Sequence, residues 1–231
     1  MMLRPRHTLL AALLTLLPFA TASAQNYDSL LARMTLEEKL GQLNLLSAGG
    51  KASPQQLDLA RRGLLGGLFN VIGTENTQAA NRVATTESRL KIPLLFGLDV
   101  IHGFRTIFPI PLAEAGAFDP DLAEATARAA GREAAAAGIN WTYAPMVDIA
   151  RDPRWGRIAE GSGEDTYLGS QLAAARVRGF QESILATAKH FAAYGAAEGD
   201  ATTTAPISRR ARCARCTSRP SRLQSMPGSP R

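Results

Sequence analysis

Apolar and polar positions along the chain fall into blocks whose period switches between helical and strand-like. Downstream of Gln25, Thr35 stands three residues before Glu38. That is the spacing of a reciprocal capping box, and it predicts a helix through LEEKLGQLNLL. Ser53-Pro54 opens a second helix through QQLDLARR, with proline at the first helical position, where a missing N–H costs nothing. GGLFNVI is short, apolar and led by glycines, which predicts a strand. Thr74 begins a polar helix, TENTQAANRVATTESRL. IPLLFGLD is almost continuously apolar, the pattern of a strand buried on both faces. Asp119-Pro120 starts a long alanine-rich helix that Gly138 ends. INWTYAPMV then predicts a strand, EDTYLGSQLAAARVRGFQ a helix, and ILATAKHF a fourth strand.

Strands alternating with helices at this spacing point to parallel β/α units, either a (β/α)8 barrel or a doubly wound sheet. The polar residues favour the barrel. Asp99 ends one strand, the RDPRWGR loop (Arg151 to Arg157) follows the next, and Lys189-His190 end the last. Charge is thus delivered at the carboxyl ends of three strands, where barrel enzymes build their sites. No G-x-G-x-x-G opens a helix after any of these strands, so a dinucleotide cofactor is not supported.

The two ends of the chain read differently from the body. Arg4 and Arg6 precede the apolar run LLAALLTLLPFA and the small-residue triplet Ala22-Ser23-Ala24. This predicts a signal peptide over 1–24, cleaved before Gln25. It implies a periplasmic or secreted protein with no membrane attachment once the leader is removed. Residues 200–231 carry many Arg, Ser and Pro and no apolar period, the composition of a disordered basic tail. The formal charge of +6 comes from these ends, because residues 25–199 hold 17 Lys and Arg against 19 Asp and Glu. A nucleic-acid partner is therefore not expected. Cys213 and Cys216 form a single C-x-x-C in the tail, without the second pair or the histidines a zinc site needs.

The strand-end residues have chemistry of their own. The Asp99 carboxylate can accept hydrogen bonds from two sugar hydroxyls, or it can pair with Arg105. Arg157 and Lys189 are cations near the same strand ends. His190 is a general acid or base, a hydroxyl ligand, or a structural histidine, and for His102 the structural role is preferred. Asp152-Pro153 is a turn former that an arginine on either side can lock. Trp155 either stacks on a sugar face or anchors the loop. Spacing alone gives no nucleophile–base pair, metal cluster or phosphate loop.

GLDVIHGFRTIFP, APMVDIARDPRWGRIAEGSGEDTYL and AKHFAAYGA, in this order and spacing, resemble the N-terminal domain of glycoside hydrolase family 3. The likeness runs from about residue 27 to about 199 and is greatest to exported bacterial β-glucosidases of that family. It implies a TIM-like barrel domain, here incomplete over residues 25–199, followed by an α/β sandwich with the active site between them. It also implies a retaining mechanism with two carboxylates, no cofactor, and a small β-glucoside or oligosaccharide as partner. By the family pattern, Asp99, Arg157, Lys189 and His190 bind the sugar ring in the cleavage subsite, and Glu164-Asp165 brace the loop. KHFAAYGAAEG departs from the PGHG-like stretch of the N-acetylhexosaminidase branch and favours the glucosidase branch. The family's nucleophile, an aspartate in a Ser-Asp-Trp or Ser-Asp-His context, is absent from the chain, since Asp200 is its last aspartate. The expectations are that the 231 residues are inactive as written and that residues 200–231 are read out of frame. The alternatives are a non-catalytic sugar-binding fragment or another exo-glycosidase of the family, such as a β-xylosidase or β-N-acetylhexosaminidase.

Overall fold

A computed structural model describes residues 27–196. The leader at 1–24 and the basic tail with Cys213 and Cys216 lie outside the described residues. Helix α1 (Tyr27–Arg33) belongs to a separate N-terminal unit, and the main unit starts at Met34.

The main unit opens on the predicted capping box. Thr35 Oγ1 accepts from the Glu38 amide at 3.2 Å, and Glu38 Oε2 accepts from the Thr35 amide at 2.9 Å. Helix α2 (Leu36–Gln42) is shorter than its apolar spacing predicts. Leu45–Gly50, expected to be its last turn and the loop beyond, is strand β1. The cause lies downstream: the Asn44 carbonyl accepts from the amides of Gly66 and Gly67, both at 3.1 Å. That close approach needs glycine at 66, where a Cβ would sit 2.1 Å from the Gln42 carbonyl oxygen. Pairing with the next strand outweighs the local helical period of Leu36, Leu40 and Leu43, all three of which stay exposed.

The other elements follow the sequence pattern with shorter limits. Helix α3 (Pro54–Arg61) carries a second capping box, between Ser53 and Gln56. Strand β2 spans Gly67–Val71. Helix α4 (Thr74–Arg82) runs into one π-turn, Val83–Glu87, and stops where Ser88 turns extended. Strand β3 (Leu95–Leu98) is followed by a short helix, α5 (Pro111–Ala115), that the pattern did not predict. In α6 (Pro120–Ala136) the Asp119 side chain accepts from the amides of Asp121 and Leu122. Strand β4 is Trp141–Thr142, α7 is Thr166–Gln181, and β5 is Leu185–Ala186.

The five strands are all parallel and lie in the order β1-β2-β3-β4-β5. A doubly wound sheet reverses its strand order at a switch point. An unreversed order is the wall of a barrel, so the α/β fold is TIM-barrel-like. Leu46 and Ala48 of β1, Leu68 and Val71 of β2, and Phe96 of β3 share one core with α3, α4 and α6. Along the helix side of α6, small Ala127, Ala130 and Ala134 let the sheet and α7 approach. On the other face Leu45, Leu95 and Leu185 remain 38–53% exposed.

Candidate functional site

All the strand-end residues singled out in the sequence lie at the carboxyl edge of this sheet. Asp99 directly follows β3. The long loop from β4 to α7 carries Asp148, Trp155, Arg157 and Glu160. Lys189 and His190 lie just beyond β5 and are held by main-chain bonds across to that loop. The Lys189 amide donates to the Pro145 carbonyl at 3.0 Å and its own carbonyl accepts from the Val147 amide at 2.6 Å. The peptide between Lys189 and His190 is cis.

The four residues form two side-chain pairs joined through the Lys189-His190 peptide. Lys189 Nζ donates to Asp99 Oδ1 at 2.6 Å, so the partner of Asp99 is a lysine ninety residues away and not the nearby Arg105. His190 Nε2 lies 3.4 Å from Arg157 Nη1. The Arg157 guanidinium grips Glu160 with two bonds of 2.7 Å, from Nε and Nη2. Tyr194 joins the group from the side: its ring meets His190 edge-on with centroids 4.7 Å apart, and Arg157 Cζ lies 5.4 Å from its centroid. Tyr194 can stand here because Gly195 has no side chain, its Cβ position being 2.5 Å from the Ile149 carbonyl oxygen.

Asp152, Arg154 and Trp155 are the scaffold of RDPRWGR. Asp152 accepts from the Arg154 amide at 2.9 Å and from its guanidinium, with Nη2 to Oδ2 at 2.5 Å. Those bonds hold its carboxyl down at about 2. Trp155 is fully buried against Met146, Ile158 and Tyr194, and so anchors the loop instead of offering a face to a sugar. Asp165 caps α7 through a 2.6 Å bond from the Leu168 amide. His102 Nδ1 lies 3.2 Å from the Phe108 carbonyl oxygen, inside its own loop, the structural role preferred from the sequence.

Two carboxylates escaped the sequence reading, Glu160 and Asp148. Glu160 sits three residues beyond Arg157, a helical spacing that would have signalled the pair. Asp148 is 3% exposed, and its Oδ2 accepts from both the His190 amide (3.1 Å) and His190 Nδ1 (2.6 Å). An acid inside the apolar run APMVDIA was its only signal.

Asp99 and Glu160 also line a cleft of about 370 Å³ whose walls include the apolar side chains of Ile101, Ile107 and Ile110. Neither acid is suited to proton donation or attack within this group. Lys189 occupies Asp99. The hydrogen bonds from Arg157, helped by the charges of Arg157 and Lys189, hold Glu160 below the ordinary carboxylate range despite its partial burial. Among the described residues, no set of three or more His, Cys, Asp or Glu is placed to hold a metal ion.

The sign of the Glu160 shift makes a pH prediction. A lowered carboxylate contributes stability above its unfolded pKa, near 4.5, and loses it as pH falls through the lower folded value. The Arg157–Glu160 bond is therefore expected to persist through the ordinary carboxylate range. An NMR titration of the Glu160 carboxyl should give a midpoint below 4.5, and Arg157→Gln should move it up.

A barrel wall with polar groups gathered at its strand ends defines a TIM-barrel-like α/β domain with its polar site at the carboxyl edge of the sheet, and sequence comparison gives its family. The glycosyl hydrolase family 3 N-terminal domain model matches residues 35–213, and the chain belongs to that family. It is 44% identical over 178 residues to a periplasmic beta-glucosidase of Salmonella typhimurium, covering 74% of this chain and 23% of that protein. It is 30% identical over 200 residues to a putative beta-xylosidase of Formosa agariphila, covering 74% and 26%. Among solved structures, the beta-glucosidase of Listeria innocua in complex with glucose superposes with a TM-score of 0.67 at 37% identity, over 74% of this chain and 27% of the other. The chain spans about a quarter of the length of these relatives.

Proposed function

We propose that this chain forms the sugar-holding part of an exported, retaining β-glucosidase that removes terminal β-D-glucosyl residues. The observation that carries the reading is the convergence of Asp99, Lys189, Arg157 and His190 from three strand ends into one group. A sugar ring presents hydroxyls that each donate and accept. Lys189 and Arg157 can only donate, whereas Asp99 accepts. A group of this mixed kind suits a polyhydroxyl ligand better than an anion, which needs donors alone.

The glucosidase relatives from Salmonella and Listeria support glucose as the sugar. The leader-like residues 1–24 and the periplasmic naming of the Salmonella relative support export. Retaining hydrolysis needs a nucleophile and a proton donor about 5–5.5 Å apart. Asp99 and Glu160 are engaged by cations and Asp148 is buried against His190, so the two catalytic carboxylates are assigned to the part of the relatives that this chain does not span. By this reading the 231 residues bind without turning over.

Calorimetry with glucose tests the binding claim. The chain is expected to bind glucose in preference to xylose. Asp99→Ala should weaken binding roughly ten- to a hundredfold, the loss of a charged hydrogen bond worth about 1.5–3 kcal/mol. Tighter binding of xylose would favour the β-xylosidase reading that the Formosa relative represents. Hydrolysis of an aryl β-glucoside by this chain alone would refute the assignment of the catalytic acids elsewhere.

A further inference from the structure

We propose that Asp148 is a positioning residue of the sugar site. It holds His190 in the Nδ1–H tautomer and so leaves Nε2 as a lone-pair acceptor, which Arg157 Nη1 faces in this structure and which a ligand hydroxyl uses by taking the place of Arg157 Nη1. The identity of that ligand as a sugar rests on the reading above; the hold on His190 does not.

The geometry fixes the tautomer from both sides of the ring. On one side, Asp148 Oδ2 lies 2.6 Å from Nδ1 and also accepts from the amide of the same histidine at 3.1 Å. Two bonds from one residue to one oxygen set the angle of the ring as well as its place. An ionised carboxylate only accepts, so Nδ1 must carry the proton. On the other side, Arg157 Nη1 stands 3.4 Å from Nε2. A guanidinium only donates and does not lose its proton, so Nε2 must present its lone pair. The Tyr194 ring edge then closes one side of the imidazole.

This gives a row of Asp148, His190, Arg157 and Glu160 in which each inner member is held by an acid at its outer end. Its chemical consequence concerns hydrogen-bond balance. Were His190 doubly protonated, Lys189, Arg157 and His190 would all be donors, with the Asp99 and Glu160 carboxylates left to receive every hydroxyl proton. The neutral Nδ1–H form supplies a further acceptor.

Asp148 itself is held at a cost that the fold does not account for. Its side chain is 1% exposed, and Oδ1 is buried with no hydrogen-bond partner among the described residues. Leaving a buried acceptor unsatisfied costs about 1–3 kcal/mol, and an apolar residue at this position in the run APMVDIA would avoid it. The bonds to His190 are what the acid provides in return.

The chain has three histidines, His7, His102 and His190, so a long-range proton–nitrogen NMR spectrum of isotope-labelled histidine resolves the question directly. His190→Gln identifies the signals. At neutral pH the parent chain is expected to show Nδ1 of His190 protonated and Nε2 bare. Asp148→Asn, which keeps the shape and removes the obligate acceptor, should mix or reverse the tautomers and weaken glucose binding roughly tenfold with circular dichroism unchanged. A His190 that is doubly protonated or carries its proton on Nε2 in the parent chain overturns the proposal. So does an unchanged tautomer in Asp148→Asn. Should Asp148→Asn fail to fold, the parent spectrum alone still decides. A chain that shows the expected tautomer shift but binds no glucose upholds the role of Asp148 and refutes the sugar reading instead.

Discussion

Arg176→Met is expected to destabilise the fold by about 3–5 kcal/mol, the usual penalty for removing one member of a buried ion pair. Arg176 lies on α7 and is 5% exposed; its partner Glu114, on α5, is 6% exposed. Nη1 donates to Glu114 Oε2 at 2.5 Å, and Nη2 donates to the Ile101 carbonyl of the loop that starts at Asp99. Glu114 also accepts from Thr126 of α6. One guanidinium therefore ties two helices and a site loop together, and its removal strands a carboxylate out of water. Urea denaturation followed by circular dichroism measures the loss. The double variant Arg176→Met with Glu114→Gln should recover part of it, because no unpaired charge then remains buried. If the single and double variants are equally unstable, the cost lies in packing and not in the stranded charge.

Trp155→Ala is expected to cost a similar amount, about 3–5 kcal/mol, for a different reason. The indole is wholly buried and meets the Tyr194 ring edge-on at 5.4 Å. Truncation removes its transfer energy and leaves a cavity that the loop cannot fill without moving. Tyr194 loses its backing, and with it His190 and Arg157 lose the ring they rest on. A thermal melt should show the stability loss, and calorimetry at a temperature where the variant is still folded should show weaker glucose binding. Full stability with impaired binding would return Trp155 to the role of a sugar-facing residue.

These variants also mark how far the sequence could be read. Capping residues, proline and glycine positions, and apolar runs gave α2, α3, α4, α6 and α7 and strands β2 to β5, because those signals act within a few residues of where they stand. Strand β1 stands where the pattern predicts a last helical turn and a loop. The leucines that lead into it, Leu36, Leu40 and Leu43, have helical spacing, and the pairing that makes it a strand comes from Gly66-Gly67, more than twenty residues later. Helix α5 was missed because five residues carry no period. Asp99, Arg157, Lys189 and His190 stand out in the sequence by their place after apolar strands and by the family likeness of the motifs around them. Asp148 and Glu160 carry only faint local signals, an acid inside an apolar run and a three-residue spacing from Arg157, and neither names the partner that gives the carboxylate its role.

What the sequence by itself determined is therefore the kind of fold, parallel β/α units with charge at the strand ends, and the family that those motifs define. Only the tertiary structure decided who pairs with whom: Asp99 with Lys189 across ninety residues, His190 with Asp148, and Arg157 with Glu160. Periodicity and capping are short-range properties of a chain. Partnership between charges depends on the order and register of strands, which no local pattern contains.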